Sequence, residues 1–241
     1  MVATASTADE NGGIVDAVVQ ESAPTTAGAL TVAAGSTLDL NNTTITGGSL
    51  TNAGTVDQTG GTSALSGVAI TNSETIEATS GTLTASGPVT NTGNLLANGG
   101  NLDFTGAVTG NGTATLNGAN SILEFGAASA ENTTFAGTDD ILKLDNVSSF
   151  TGTVAGMAEG DGIDLTNFLF SNNPTVTGVT GTGAAGSTTN VTVHDGSLNA
   201  TLELLNQYTN QFAVAPTAYS LVADNNTPNH GTTLQLATAH A

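Results

Sequence analysis

The chain has no cysteine, no tryptophan and no arginine, and Lys143 stands as the only basic residue apart from three histidines. Each absence removes a class of chemistry. Without cysteine there is no disulfide, no thiolate nucleophile and no thiolate-ligated zinc. Twenty Asp and Glu against one Lys give a net charge of −19. Nucleic-acid binding releases counterions through several Lys or Arg contacts to phosphate, which one lysine cannot supply. The same shortage excludes a polybasic hold on anionic membranes and the cationic clamps of phosphoryl transfer. No apolar run approaches the roughly eighteen residues of a membrane-spanning helix. Residues 1–24 carry neither a basic region nor an apolar one of signal-peptide type, so no signal peptide is expected. Export would then use another signal, or the chain is a piece of a longer polypeptide.

What remains is unusual but not disordered in kind. Charged residues make up only 9% and apolar residues 38%, enough apolar content for a core. Val, Ile, Leu and Ala dominate it, which suits a narrow, layered interior. The 31 glycines fall largely between short alternating runs, where corners form.

One phrase recurs: LTNAGTV (50–56), ITNSETI (70–76), VTNTGNL (89–95) and VTGNGTA (108–114), with starts 20, 19 and 19 residues apart. That period is too short for a helical hairpin repeat and matches one turn of a three-sided parallel β-helix. Period-2 alternation puts Ile76, Ala78, Leu83 and Ala85 inward, with Glu77 and Thr84 outward. One turn later Leu102 and Phe104 flank outward Asp103, and then Leu123 and Phe125 flank Glu124. Leu50, Ile70, Val89 and Val108 share a rung position and are expected to stack in the core. Asn52, Asn72 and Asn91 also share one. Stacked about 4.8 Å apart they form an amide ladder, or they are simply turn residues. Gly110 takes the fourth position, so a ladder is expected to stop there.

The expected fold is therefore all-β, a right-handed parallel β-helix with about 19–20 residues per rung and a C-terminal capping module. Its parts read as an N-terminal tail or cap (1–28), regular rungs (29–127), irregular rungs with acidic turns (128–189) and a closing module (190–241). Within the last, 202–212 carries Leu204, Tyr208 and Phe212 at helical spacing, which predicts a short helical turn or lid.

The repeat style ITNSETIEATSGTLTASG, followed by DDILKLDNVSSFTGTVAGMAEGDGIDL and VTVHDGSLNATLELLNQYTNQFAV, resembles repeat regions of large bacterial surface proteins. These are the filamentous-haemagglutinin-like and type I-secreted adhesins. The resemblance covers residues 29–241 and departs from the pattern at 215–229. Outward Asn, Thr and Asp side chains can hydrogen-bond sugar hydroxyls, which makes surface glycans, or further copies of the chain, the expected partners. The resemblance itself implies an extracellular or cell-surface, non-catalytic structural and adhesive role. It names no ligand.

Site candidates are few. Two acidic turns, containing Asp139 and Asp140 and then Glu159, Asp161 and Asp164, are similar to single copies of the Gly/Asp nonapeptide that holds Ca²⁺ in RTX-type β-rolls. Such motifs work in tandem, so the competing reading is ordinary solvated turns. Calcium is the one cofactor considered. No catalytic residues are assigned. A polysaccharide hydrolase needs paired carboxylates, and Asp103 and Glu124 fall on one outward face about a rung apart. Polysaccharide lyases call for a base such as Arg or Lys, and Lys143 looks isolated. An ice-binding face needs Thr ladders, but Thr82 and Thr84 are followed one rung on by Asn101 and Asp103.

Overall fold

The computed structural model describes residues 16–19, 25–26, 28–181, 187–205, 218–224 and 231–237. It is an all-β solenoid of about seven turns. Three sheets run along its axis, with eleven, ten and five strands; they are called A, B and C. Until the last turns every pairing is parallel, and each strand pairs with its equivalent one turn away. The rung is thus the repeating unit that the recurring phrase marks.

The alternation of side chains explains why each rung needs its neighbours. In sheet A the inward row runs Leu38, Val56, Ile76, Leu95 and Ala114, residue above residue. Sheet B continues Leu83, Leu102, Leu123, Leu142 and Ile163 in the same manner. In sheet C the register places Leu50, Ile70, Val89 and Val108 in one vertical row, all buried. One rung would leave these side chains half in water, and stacking removes them from it. Phe104, Phe125 and Phe150 form an offset stack inside, with centroids 6.2 and 6.0 Å apart, and add aromatic contacts to the buried core.

The far end closes differently. Thr188–Asp195 and Leu198–Leu205 form an antiparallel hairpin, and its second strand pairs in parallel with Thr153–Ala155 of sheet A. Thr175–Thr180 adds a further antiparallel strand at the edge, with a register shift between Val176 and Gly178. A bulge of this kind makes an exposed edge a poor template for further pairing. On sheet B, Thr232–Leu236 pairs antiparallel with Gly162–Leu165, and Tyr219–Ala223 pairs with it in turn. Val191, Val193, Leu202, Leu204 and Leu234 of these strands are buried and continue the core to this end.

The helical turn expected from residue 202 is not present at its start. Leu198–Leu205 is a strand, with Ala200, Leu202 and Leu204 buried at every second position. The pairing of both neighbours overrides the apparent helical spacing, because burial here follows a period of two. Tyr208 and Phe212 lie outside the described residues.

Candidate functional site

Three polar arrays run along the solenoid, and the first is the asparagine row. Asn52, Asn72 and Asn91 are fully buried and stacked in register. The Asn52 Nδ2 donates to Asn72 Oδ1 at 2.7 Å, and Asn72 Nδ2 to Asn91 Oδ1 at 2.8 Å. Each amide also serves the corner it stands in: Asn52 Oδ1 accepts from the Gly54 amide, and Asn91 Oδ1 from that of Gly93. The carboxamide is suited to this because it both donates and accepts along one line. The row does not stop at Gly110. Asn91 Nδ2 reaches past that rung to Glu131 Oε2 at 3.1 Å. Gly112 keeps the path clear, since a side-chain carbon there would lie 2.2 Å from Asn91 Nδ2. No sequence phrase marks Glu131 as the terminus, because it stands two rungs away in a differently spaced turn.

Burial pushes the Glu131 carboxyl above its ordinary value, opposed in part by the Asn91 hydrogen bond. A carboxyl raised in the folded state is protonated there over a pH range in which the unfolded chain has already ionised. Stability from this group therefore falls as pH rises from the ordinary glutamate value through the folded one, and stays low above it. Glu131→Gln keeps an acceptor for Asn91 without the charge. It should raise the thermal midpoint by a few degrees at neutral pH and leave it unchanged near pH 4, as read by a melting series.

The acidic turns form the second array. Asp140 and Asp161 are buried side by side on successive rungs. Three of their four side-chain oxygens are engaged by the backbone, and Asp140 Oδ2 is buried without a hydrogen-bond partner among the described residues. Asp140 Oδ1 accepts from the Ser121 amide at 2.8 Å, and Asp161 Oδ1 from the Asp140 amide at 3.0 Å. Asp161 Oδ2 accepts from the Ala158 amide at 2.8 Å. The column works as a corner brace that ties each rung to the one before. Asp139 and Glu159 are exposed, and Asp164 points away on sheet B. Beyond the Asp140 and Asp161 pair the five residues form no common cluster: among the described residues no group of three or more acidic or histidine side chains is arranged to hold a metal.

The third array lines an acidic groove. The outward face of sheet B carries the ordered row Thr84, Asp103, Glu124, Lys143 and Asp164, one per rung. Lys143 is not isolated. Its Nζ donates to Glu124 Oε2 at 2.8 Å. Alternating Ile-Leu-Glu-Phe and Ile-Leu-Lys-Leu strands make this contact, since the middle polar residue of each faces out. The antiparallel strands Thr232–Leu236 and Tyr219–Ala223 border the row and bring Asp224 beside it, forming a groove of ≈ 410 Å³. Sequence spacing reveals the row but not the strands that border it.

Electrostatics in the groove follow from partial burial with one cation. Burial raises Asp103 and Glu124, opposed by the Thr84 hydroxyl and by Lys143 respectively. For Lys143, burial favours the neutral amine, but Glu124, Asp145 and Asp164 outweigh it and hold the ammonium charged. Asp164 is pushed up to about 7, by burial first and then by the Asp224 charge. Asp103 Oδ1 and Asp164 Oδ1 are buried without a hydrogen-bond partner among the described residues.

No family model, curated protein or solved structure matches the chain. Fold and groove define it as a capped parallel β-solenoid with an acidic groove along sheet B.

Proposed function

We propose that the chain is a non-catalytic structural and adhesive module of an extracellular or cell-surface protein, with surface glycans as its partners. The observation that carries this reading is the regular display of polar side chains at rung spacing. On sheet C, Thr31, Thr51, Thr71, Thr90 and Thr109 lie in register and exposed on consecutive rungs. On sheet A, Thr55, Thr75, Asn94 and Thr113 form a further outward row. A polymer of repeating sugars presents hydroxyls along its length, and such rows meet it with many weak hydrogen bonds and no deep pocket. The scarcity of cationic groups and the strong negative charge keep such a surface soluble and unattractive to nucleic acid and anionic lipid. About seven turns at roughly 4.8 Å each give a rod roughly 35 Å long.

The test is retention of the purified protein on immobilised polysaccharides and on cell surfaces, with electron microscopy of the same material. Saturable retention on at least one glycan, with rods seen singly or end to end, is the expected result. Absence of retention on every glycan and cell type would overturn the proposal. One observation favours a second reading, a polysaccharide hydrolase: the groove sets the raised Asp164 carboxyl near the Lys143-paired Glu124. Release of reducing sugar from a bound polysaccharide, lost in Asp164→Asn, would replace the adhesive reading with that one.

A further inference from the structure

We propose that the sheet B groove binds a glycan bearing a protonated primary amine, with the Asp164 carboxylate as the main anchor of the ammonium and Asp103 as a second. The inference rests on the glycan-binding reading and names the chemistry of the glycan. Its first support is a partner that is missing. Asp164 is only 4% exposed, yet its Oδ1 meets no donor among the described residues. A buried carboxylate oxygen without a donor is costly, and an ion or donor entering the groove would relieve that cost. Asp103 Oδ1 is in the same condition on the same wall.

Charge and shape point to an amine on a sugar. Lys143 is matched by Glu124 at 2.8 Å, so Asp103 and Asp164 leave an excess of negative charge along the groove. Asp224 Oδ2 and Asp164 Oδ1 converge on Gly231: a side-chain carbon there would sit 2.9 Å from the first and 3.1 Å from the second. Any larger residue would crowd that space. An ammonium offers three donors and suits oxygens arriving from different sides. Calcium suits the site less well. It takes six to eight oxygens, and no three acidic groups cluster here among the described residues. The groove also exceeds what one ion requires. Ile122, Ile141 and Val222 offer apolar wall to a ring face, and Asn101 and Gln235 offer hydrogen bonds to hydroxyls. Asp103 and Asp164 stand three rung steps apart, roughly 14 Å, which spans several rings of an oligosaccharide. The raised Asp164 carboxyl fits this account, since a bound ammonium would draw it back down.

Calorimetry on the full chain at about pH 7 and low salt provides the test, with three probes: a β-1,4-linked glucosamine tetramer, its fully N-acetylated counterpart and spermidine. The glucosamine tetramer should bind, at least tenfold tighter than the acetylated one and than spermidine. Asp164→Asn should weaken it at least tenfold and Asp103→Asn by a smaller factor, with each variant's unfolding midpoint confirming that it is folded. No binding of the amino tetramer, equal binding of the acetylated one, or full binding by both variants would overturn the inference. Spermidine binding as tightly would overturn its glycan part. If neutral polysaccharides or cells still retain the wild type while the amino tetramer fails, the amine assignment falls and the adhesive reading stands. If nothing is retained, both fall.

Discussion

Asn72→Asp should destabilise the fold by about 3–5 kcal/mol at neutral pH. The size of the side chain does not alter, so the effect isolates hydrogen bonding and charge. Asn72 accepts from Asn52 and donates to Asn91 and to the Glu74 carbonyl. A carboxylate can still accept from Asn52, but it has no proton to give upward. It would face the Asn91 Oδ1 and the Glu74 oxygen, acceptor against acceptor, in a fully buried position. Asn72→Ala should cost less, about 2–4 kcal/mol, because it leaves a cavity and unmet partners without a buried charge. Lowering the pH should narrow the gap between the Asn72→Asp variant and wild type, since a protonated carboxyl regains a donor. Urea unfolding at two pH values reads all three quantities. Wild-type stability of the Asn72→Asp variant at neutral pH would show that the amide row contributes nothing.

The second large effect is expected at a corner. Gly87 carries no unusual backbone angle, yet a side-chain carbon there would lie 2.0 Å from the Val68 carbonyl oxygen and 2.5 Å from its carbon. One rung on, a carbon at Gly106 would meet the Gly87 oxygen at 2.1 Å. At these corners backbone rests on backbone, and no side chain can turn aside to make room. Gly87→Ala must push two rungs apart, and the strain spreads into the parallel ladders beside it. A loss of about 3 kcal/mol or more follows. Gly28→Ala is the matched control, because a carbon at Gly28 meets nothing within 4 Å. It should stay within about 0.5 kcal/mol of wild type. Equal stability of the two variants would mean that the rungs are not in contact at Gly87.

How much of this is legible in the sequence depends on where the interactions lie along the chain. Contacts one period apart can be read, because a repeated phrase puts like residues at like positions. The Leu50, Ile70, Val89 and Val108 row and the Asn52, Asn72 and Asn91 row are both of this kind. What escapes is made by residues outside the period. Glu131 meets Asn91 across two rungs, and no repeated spacing announces such a contact. The Asp224 and Thr232–Leu236 side of the groove returns from the end of the chain to a strand some seventy residues earlier. Lys143 looks isolated in the sequence because its partner Glu124 sits a full turn away along the chain, although one rung away in space. The acidic turns mislead for a related reason. Asp140 and Asp161 carry the composition of a calcium loop, but a carboxylate also accepts backbone amides, and on stacked corners it does so. The helical spacing that begins at Leu204 cannot reveal that the preceding residues are claimed by two neighbouring strands.

The adhesive proposal and the amine-glycan inference both depend on the rung stack, and its geometry can be measured in solution without crystals. The absence of cysteine makes paired spin labels specific. Thr31, Thr51 and Thr109 occupy the same exposed rung position, four steps apart for the first and last and three for the second and last. Dipolar spectroscopy on Thr31→Cys/Thr109→Cys and Thr51→Cys/Thr109→Cys should give narrow distances centred near about 19 and about 14 Å, differing by one strand spacing. Distances that do not step by one spacing, or broad distributions for both pairs, would contradict the stacked solenoid.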